Sequence, residues 1–188
     1  MIRWHALVPI KQGANGKSRL AAMLSLEERD ELSLRMARHV LSELGRCEGI
    51  SDITILSTER PDWWSGSWVA DGGQGLNAEI DGWRQACAAD PILIIHADLP
   101  LLLVDDVRHL LDAAEADGIA LATDRAGEGS NALAIADGRP FEFRFGQDSR
   151  RLHVAQSPAM AVLQRIALSA DIDTPDDLIF ARAHGFTG

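Results

Sequence analysis

Apolar positions along this chain follow two periods that take turns. Trp4 to Ile10 is a continuous apolar run broken by Pro9, and the KQGANGKS stretch after it is glycine-rich, polar and without period, so a strand leads into a loop. Ser25 and Glu28 have the spacing of a capping box. Met36, Ala37, Val40, Leu41 and Leu44 then share one helical face, with Gly45 as the predicted stop. SDITILS alternates as a strand, residues 61–75 read as a loop holding one short strand, and LNAEIDGWRQACAA reads as a helix. PILIIHA is apolar on both faces, as a central strand covered by helices on either side must be.

The alternation continues with VDDVRHLLDAAEA as a helix, GIALAT and NALAIA as strands, and a polar segment from Phe141 to His153. AMAVLQRIAL is predicted as strand-like, and TPDDLIFARAHG as a helix with Thr174 at its N-cap and Pro175 in its first turn. Interleaving at this spacing predicts an α/β, three-layer Rossmann-like domain over residues 1–188 with a mostly parallel sheet, one antiparallel strand falling near Asn131 to Ala136. In such sheets ligands lie beyond the carboxyl ends of the strands. The glycine loop after Ile10 and the carboxylate of Asp98 both fall at such ends.

Composition narrows the function. The chain carries 18 Lys and Arg against 28 Asp and Glu, a net charge of −10, which argues against nucleic acid and anionic membranes as partners. The longest apolar stretches are too short to span a bilayer, and no signal-peptide pattern opens the chain, so a cytoplasmic protein is expected. Cys47 and Cys87 lack the spacing of a zinc or dithiol motif and read as small hydrophobes.

Against that acidic background, Lys11, Lys17 and Arg19 around Gly16 make a candidate phosphate cradle, although Lys11 stands where a Walker motif needs glycine. Asp171 and Asp173 lie two apart in extended chain and should point one way, with Ile172 the other. Two adjacent carboxylates repel unless a cation sits between them, so with Asp98 they form a candidate metal set. Asp105, Asp106, Asp176 and Asp177 are read as helix-start residues favoured by the dipole, and His96 as a hydrogen-bonded core histidine. Trp63, Trp64 and Trp68 could stack on a base or anchor a loop. The arginines between Arg144 and His153 could hold a second anion or form a solvated face.

VPIKQGANGKSRL, GLN at 75–77, HADLPLL, DRAGEGSNAL, FGQDS and DIDTPDDL occur in this order, and together they resemble the guanylyltransferases of coenzyme F-420 biosynthesis, which act on 2-phospho-L-lactate, phosphoenolpyruvate or 3-phosphoglycerate. The resemblance implies transfer of GMP from GTP to the phosphate of a three-carbon acid, with release of pyrophosphate. It implies that Lys17 and Arg19 hold the triphosphate, with Lys11 and Gly16 in the same loop, and that Leu76 and Asn77 lie near the guanosine. Asp98, Asp171 and Asp173 would bind Mg²⁺. Ser130, Gly146 and Ser149 would receive the acceptor phosphate, with Asn131 beside them. Arg150 stands where the family has a bulky apolar residue, and Glu128 falls in a run that is commonly GGTN-like, so Arg150 is expected to contact the acceptor's carboxylate or hydroxyl. A related transferase of other phosphorylated or phosphonate acids, and a non-catalytic nucleotide-binding module, are the alternatives. A homodimer and hand-over of a labile product to the next enzyme are compatible with the resemblance.

Overall fold

The structure is a computed structural model, and it describes residues 2–11, 17–87 and 90–187. Among the described residues seven strands form one sheet: β1 (Trp4–Pro9), β2 (Ile50–Ser57), β3 (Ser67–Ala70), β4 (Ile92–Ile95), β5 (Ile119–Thr123), β6 (Ser130–Ile135) and β7 (Ala161–Leu163). Their order across the sheet is β3-β2-β1-β4-β6-β5-β7. All pairings are parallel except those of β6, which runs antiparallel to both β4 and β5. The one reversed strand lies where the sequence placed it. Its reversal brings the start of β6, at Ser130 and Asn131, to the same rim as the ends of β1, β4 and β5.

Six α-helices and a 3₁₀ turn (Ser18–Leu20) complete the described chain: α1 (Leu26–Arg46), α2 (Leu76–Ala86), α3 (Val104–Asp117), α4 (Ser149–Gln156), α5 (Ile166–Ser169) and α6 (Pro175–Ala183). Strand alternation sorts the core into two layers. Ala6, Val8, Leu93, Ile95, Ala120 and Ala122 face α1, α3 and α5 on one side, where the small alanines let helix α3 approach closely. Leu7, Ile92, Ile94, Leu121 and Leu133 face α2 and the 141–145 segment on the other. None of the helices among the described residues is long and apolar enough to cross a membrane.

Helix α1 begins as expected, with Ser25 Oγ accepting from Glu28 N–H and Glu28 returning the bond to Ser25 N–H. It does not stop at Gly45 but runs to Arg46, because Leu44 and Cys47 continue its buried face; Gly49, at φ +99°, makes the reversal into β2. Two other expectations need correction. AMAVLQRIAL is a three-residue edge strand followed by the short helix α5, whose Leu168 turns back into the core. The segment from Phe141 to His153 is not a polar face: Phe143 and Phe145 are buried against the sheet, and His153 on α4 is fully buried.

A third, smaller cluster positions the site. Leu20 from the 3₁₀ turn Ser18–Leu20, Leu32 and Met36 from α1, Ile172, and Leu178 and Ala181 from α6 pack together. Leu20 follows Lys17 and Arg19 closely, and Ile172 separates Asp171 from Asp173. Burial of these apolar residues therefore holds the basic loop against the acidic segment.

Candidate active site

At the carboxyl ends of β1 and β4 lies a cavity of about 490 Å³. Its described walls include Lys11, Lys17 and Arg19 from the loop after β1, Leu76 at the start of α2, and Asp98 and Asp173. Gly16 lies outside the described residues. Pro9, Ile10, Ser33, Met36 and Ala97 also line it, and the sequence carried no sign distinguishing Ser33 and Met36 from other positions on the inner face of α1.

Lys17 is the hub. Its backbone sits in the left-handed region at φ 51°, a conformation that costs a non-glycine residue energy. Its ammonium donates to Asp98 Oδ2 at 2.5 Å and to Asp173 Oδ1 at 2.9 Å. Burial alone would lower the lysine's pKa, but the two carboxylates outweigh it and raise it. Burial likewise works against ionised Asp98; Lys17, and then His96, more than offset this and hold the carboxyl below its ordinary value. Both partners are thus kept charged. The segment is tied down by Ile172 N–H donating to Asp98 C=O at 3.3 Å, while Ile172 itself is fully buried, as the alternation required.

Asp171 and Asp173 face different partners. Asp171 Oδ1 accepts from Asn131 Nδ2 at 2.9 Å, and the same amide donates to Leu168 C=O. Burial, then the nearby Asp98 charge, pushes the Asp171 carboxyl up to about 7. Among the described residues no three His, Cys, Asp or Glu side chains gather as a ligand set, since Lys17 bridges two of the three carboxylates and Asn131 takes the third. The donor chemistry nevertheless fits a hard divalent cation. All candidate ligands are carboxylate oxygens, and Asp98 Oδ1 is buried without a hydrogen-bond partner among the described residues.

Asp177 keeps its helix-start role: it completes the Thr174 capping box, and also accepts from Asp173 N–H and from Arg125. Asp105 pairs with Arg108. Asp106 does more than the helix-start reading gave it, being buried and paired with Arg165 at 2.7 Å. His96 differs from expectation: its ring lines the cavity against Phe145, and its Nε2 is buried without a hydrogen-bond partner among the described residues. The three tryptophans pack on the core beside β2 and β3, and none lines the cavity. Both cysteines are free thiols.

The remaining candidates assemble on the β6 side. Asn77 spends both ends of its amide on Phe145, accepting its N–H at 2.8 Å and donating to its C=O at 3.0 Å. That clamp fixes the backbone entering Gly146, which takes φ +122°. Ser149 opens α4, its N–H directed to Gly146 C=O. Ser130 and Ser149 are both buried. Arg150 donates through Nη1 to Gly127 C=O at 3.0 Å, and its N–H goes to Glu128 C=O, so α4 is laced to the loop before β6. Arg144 and Arg151 are exposed and paired with Glu142 and Asp148.

The mixed sheet is that of a 4-diphosphocytidyl-2C-methyl-D-erythritol synthase from Anaerococcus prevotii, which shares the fold (TM-score 0.61, 13% identity, 97% of this chain and 96% of that one). A phosphoenolpyruvate guanylyltransferase from Sphaerobacter thermophilus is 33% identical over 97% of this chain and 94% of its own. A 2-phospho-L-lactate guanylyltransferase from Methanococcoides burtonii is 32% identical over 96% and 84% respectively. Residues 4–187 match the family described as guanylyl transferase, CofC like; the chain belongs to that family and is a guanylyltransferase.

Proposed function

We propose that the protein transfers GMP from GTP to the phosphate of a small phosphorylated three-carbon acid, in a Mg²⁺-dependent reaction of coenzyme F-420 biosynthesis. The observation carrying this is the meeting of Lys17 with Asp98 and Asp173 in the rim cavity of a chain of this family. An oxygen of the acceptor phosphate attacks the α-phosphorus of GTP. The new P–O bond forms as the bond from that phosphorus to the bridging oxygen of the β-phosphate breaks, and pyrophosphate leaves with the electron pair.

The nucleophile is already ionised near neutral pH, so no general base is required, and the barrier is mainly repulsion between two anions and their alignment. Lys17, Arg19 and Lys11 supply positive charge along the cavity wall where a triphosphate would lie. Asp98 and Asp173, with Asp171, would hold Mg²⁺, which when bound neutralises phosphate charge. Leu76 gives the nucleotide an apolar wall, while Asn77 acts at one remove through Phe145. Ser130, Gly146 and Ser149 receive the acceptor phosphate. Arg150, anchored at Gly127, has a guanidinium that can address the acceptor's carboxylate.

Phosphoenolpyruvate, 2-phospho-L-lactate and 3-phosphoglycerate, each incubated with GTP and Mg²⁺, should be separated by pyrophosphate release and by the mass of the guanylylated product. Failure of all three to release pyrophosphate would overturn the reading. An Arg150→Phe enzyme is expected to change its preference among the acids, and an unchanged preference counts against the role given to Arg150.

A further inference from the structure

His153 sits in the first turns of α4, one turn beyond Ser149, and is fully buried between the rings of Phe141 and Phe145. Both of its ring nitrogens are used. Nε2 accepts the Arg144 N–H at 2.9 Å, and Nδ1 lies 3.0 Å from Ser130 Oγ. A backbone N–H can only donate, so Nε2 carries no proton, and a neutral ring must then carry it on Nδ1. Nδ1–H therefore donates to Ser130 Oγ. The hydroxyl is fixed as an acceptor on that side, which leaves its own proton to be given elsewhere.

We propose that His153 is a positioning residue for the acceptor phosphate: held as the Nδ1–H tautomer by Arg144, it turns the Ser130 hydroxyl so that its proton is offered to that phosphate. The inference rests on the reading of Ser130 given above. The same imidazole ties three separate parts of the acceptor side together, namely the start of β6, the backbone leading to Gly146, and α4. With Asn77 clamping Phe145 from α2, the backbone before Gly146 is held from both sides. Among the described residues no carboxylate is paired with the ring: Glu142 is taken up by Arg144, and burial lowers the histidine's pKa to about 4.

Long-range proton–nitrogen NMR of the full chain should show His153 with Nδ1 protonated and Nε2 bare, without change between about pH 8 and pH 6, where an ordinary histidine takes up its proton. An Nε2–H tautomer or titration in that range overturns the proposal. His153→Gln keeps an acceptor for Arg144 N–H but loses the donor to Ser130, whereas His153→Asn can keep the donor. With whichever of the three acids the wild type accepts, His153→Gln should raise the acid's KM by about tenfold, the weight of one such hydrogen bond, and leave the KM for GTP unchanged. His153→Asn should recover most of that loss, and His153→Gln in a Ser130→Ala background should add nothing to it.

Equal rises in both KM values, or full additivity with Ser130→Ala, overturn the positioning role while wild-type transfer stands. If the wild type transfers GMP to none of the acids, the functional reading falls and takes the acceptor role of His153 with it. The NMR result identifies the tautomer in either event.

Discussion

Replacing Lys17 with methionine keeps a side chain of similar length and removes the charge that Asp98 and Asp173 share. The side chains of Lys17 and Asp98 are only 10% and 23% exposed, and Asp98 Oδ1 already lacks a partner among the described residues, so the carboxylate would be left largely uncompensated. Removing one member of a fully buried ion pair costs about 3–5 kcal/mol. Asp173, at 52% exposed, returns to water and loses little, which brings the expectation to about 2–3 kcal/mol. For a chain of this length that is a fall in Tm of about 5–10 °C, read by circular dichroism at neutral pH.

The pH dependence has a definite sign. In the wild type the depressed Asp98 pKa contributes stability that is present above the unfolded value and lost as pH falls through the folded one. In the variant burial dominates, so protonation relieves the penalty, and the gap between the two proteins should narrow on acidification. It should also narrow at alkaline pH, once the raised pKa of Lys17 is passed. Since the ammonium and a hard cation are drawn to the same oxygens, Mg²⁺ should raise the Tm of the variant more than that of the wild type. An unchanged Tm at neutral pH, or a gap that widens in acid, would refute the assignment of Lys17 as the compensating charge.

Asp98→Asn and Asp173→Asn should each lower pyrophosphate release by at least about a hundredfold with unaltered circular dichroism, as expected when a charged group is lost from a preorganised transfer site; near-normal rates in both would sink the proposed metal role. His153, with a folded pKa of about 4 against an ordinary 6.5, contributes stability that is complete above the ordinary value and lost as pH falls towards the folded one. That amounts to about 3 kcal/mol, and urea titrations of His153→Gln should show this stretch of the pH profile flattened. Glu43 is buried on α1 and accepts the Val104 N–H at the start of α3, whose N-cap Leu103 has no side-chain acceptor. Glu43→Ala should therefore cost about 1–2 kcal/mol in chemical denaturation, and a neutral result would show that water replaces the cap.

Periodicity made the elements legible because most of them obey one local rule at a time. The run ILII has no polar face, so it had to lie between two helical layers, and it does. Helix α1 began where Ser25 and Glu28 said it would but outran Gly45, because burial of Leu44 and Cys47 outweighs the preference of a single glycine. The site was legible only as residue types. Lys17 meets Asp98 and Asp173 across 81 and 156 residues of chain, and what brings them together is the small apolar cluster of Leu20, Ile172 and the facing helices. Nothing local in Leu20 or Ile172 declares that.

The segment around His153 was open to a better reading. Its charged neighbours in sequence, Arg144, Arg150 and Arg151, suggested a basic face, yet Phe141, Phe143 and Phe145 recur with period two, and Ser149 and His153 are spaced one helical turn apart. Both patterns put a face inward, and a histidine on an inward face is more stable neutral, with its two nitrogens committed to fixed partners. The arginines lie outside because Arg144 alternates with the buried phenylalanines, while Arg150 and Arg151 lie off the helical face of Ser149 and His153, so the charge that dominates the local composition is absent where Ser130, the Arg144 N–H and His153 meet. Charge counted along a sequence is therefore a poor guide to charge at a site, and the period of the apolar residues between the charges decides which of them the site contains.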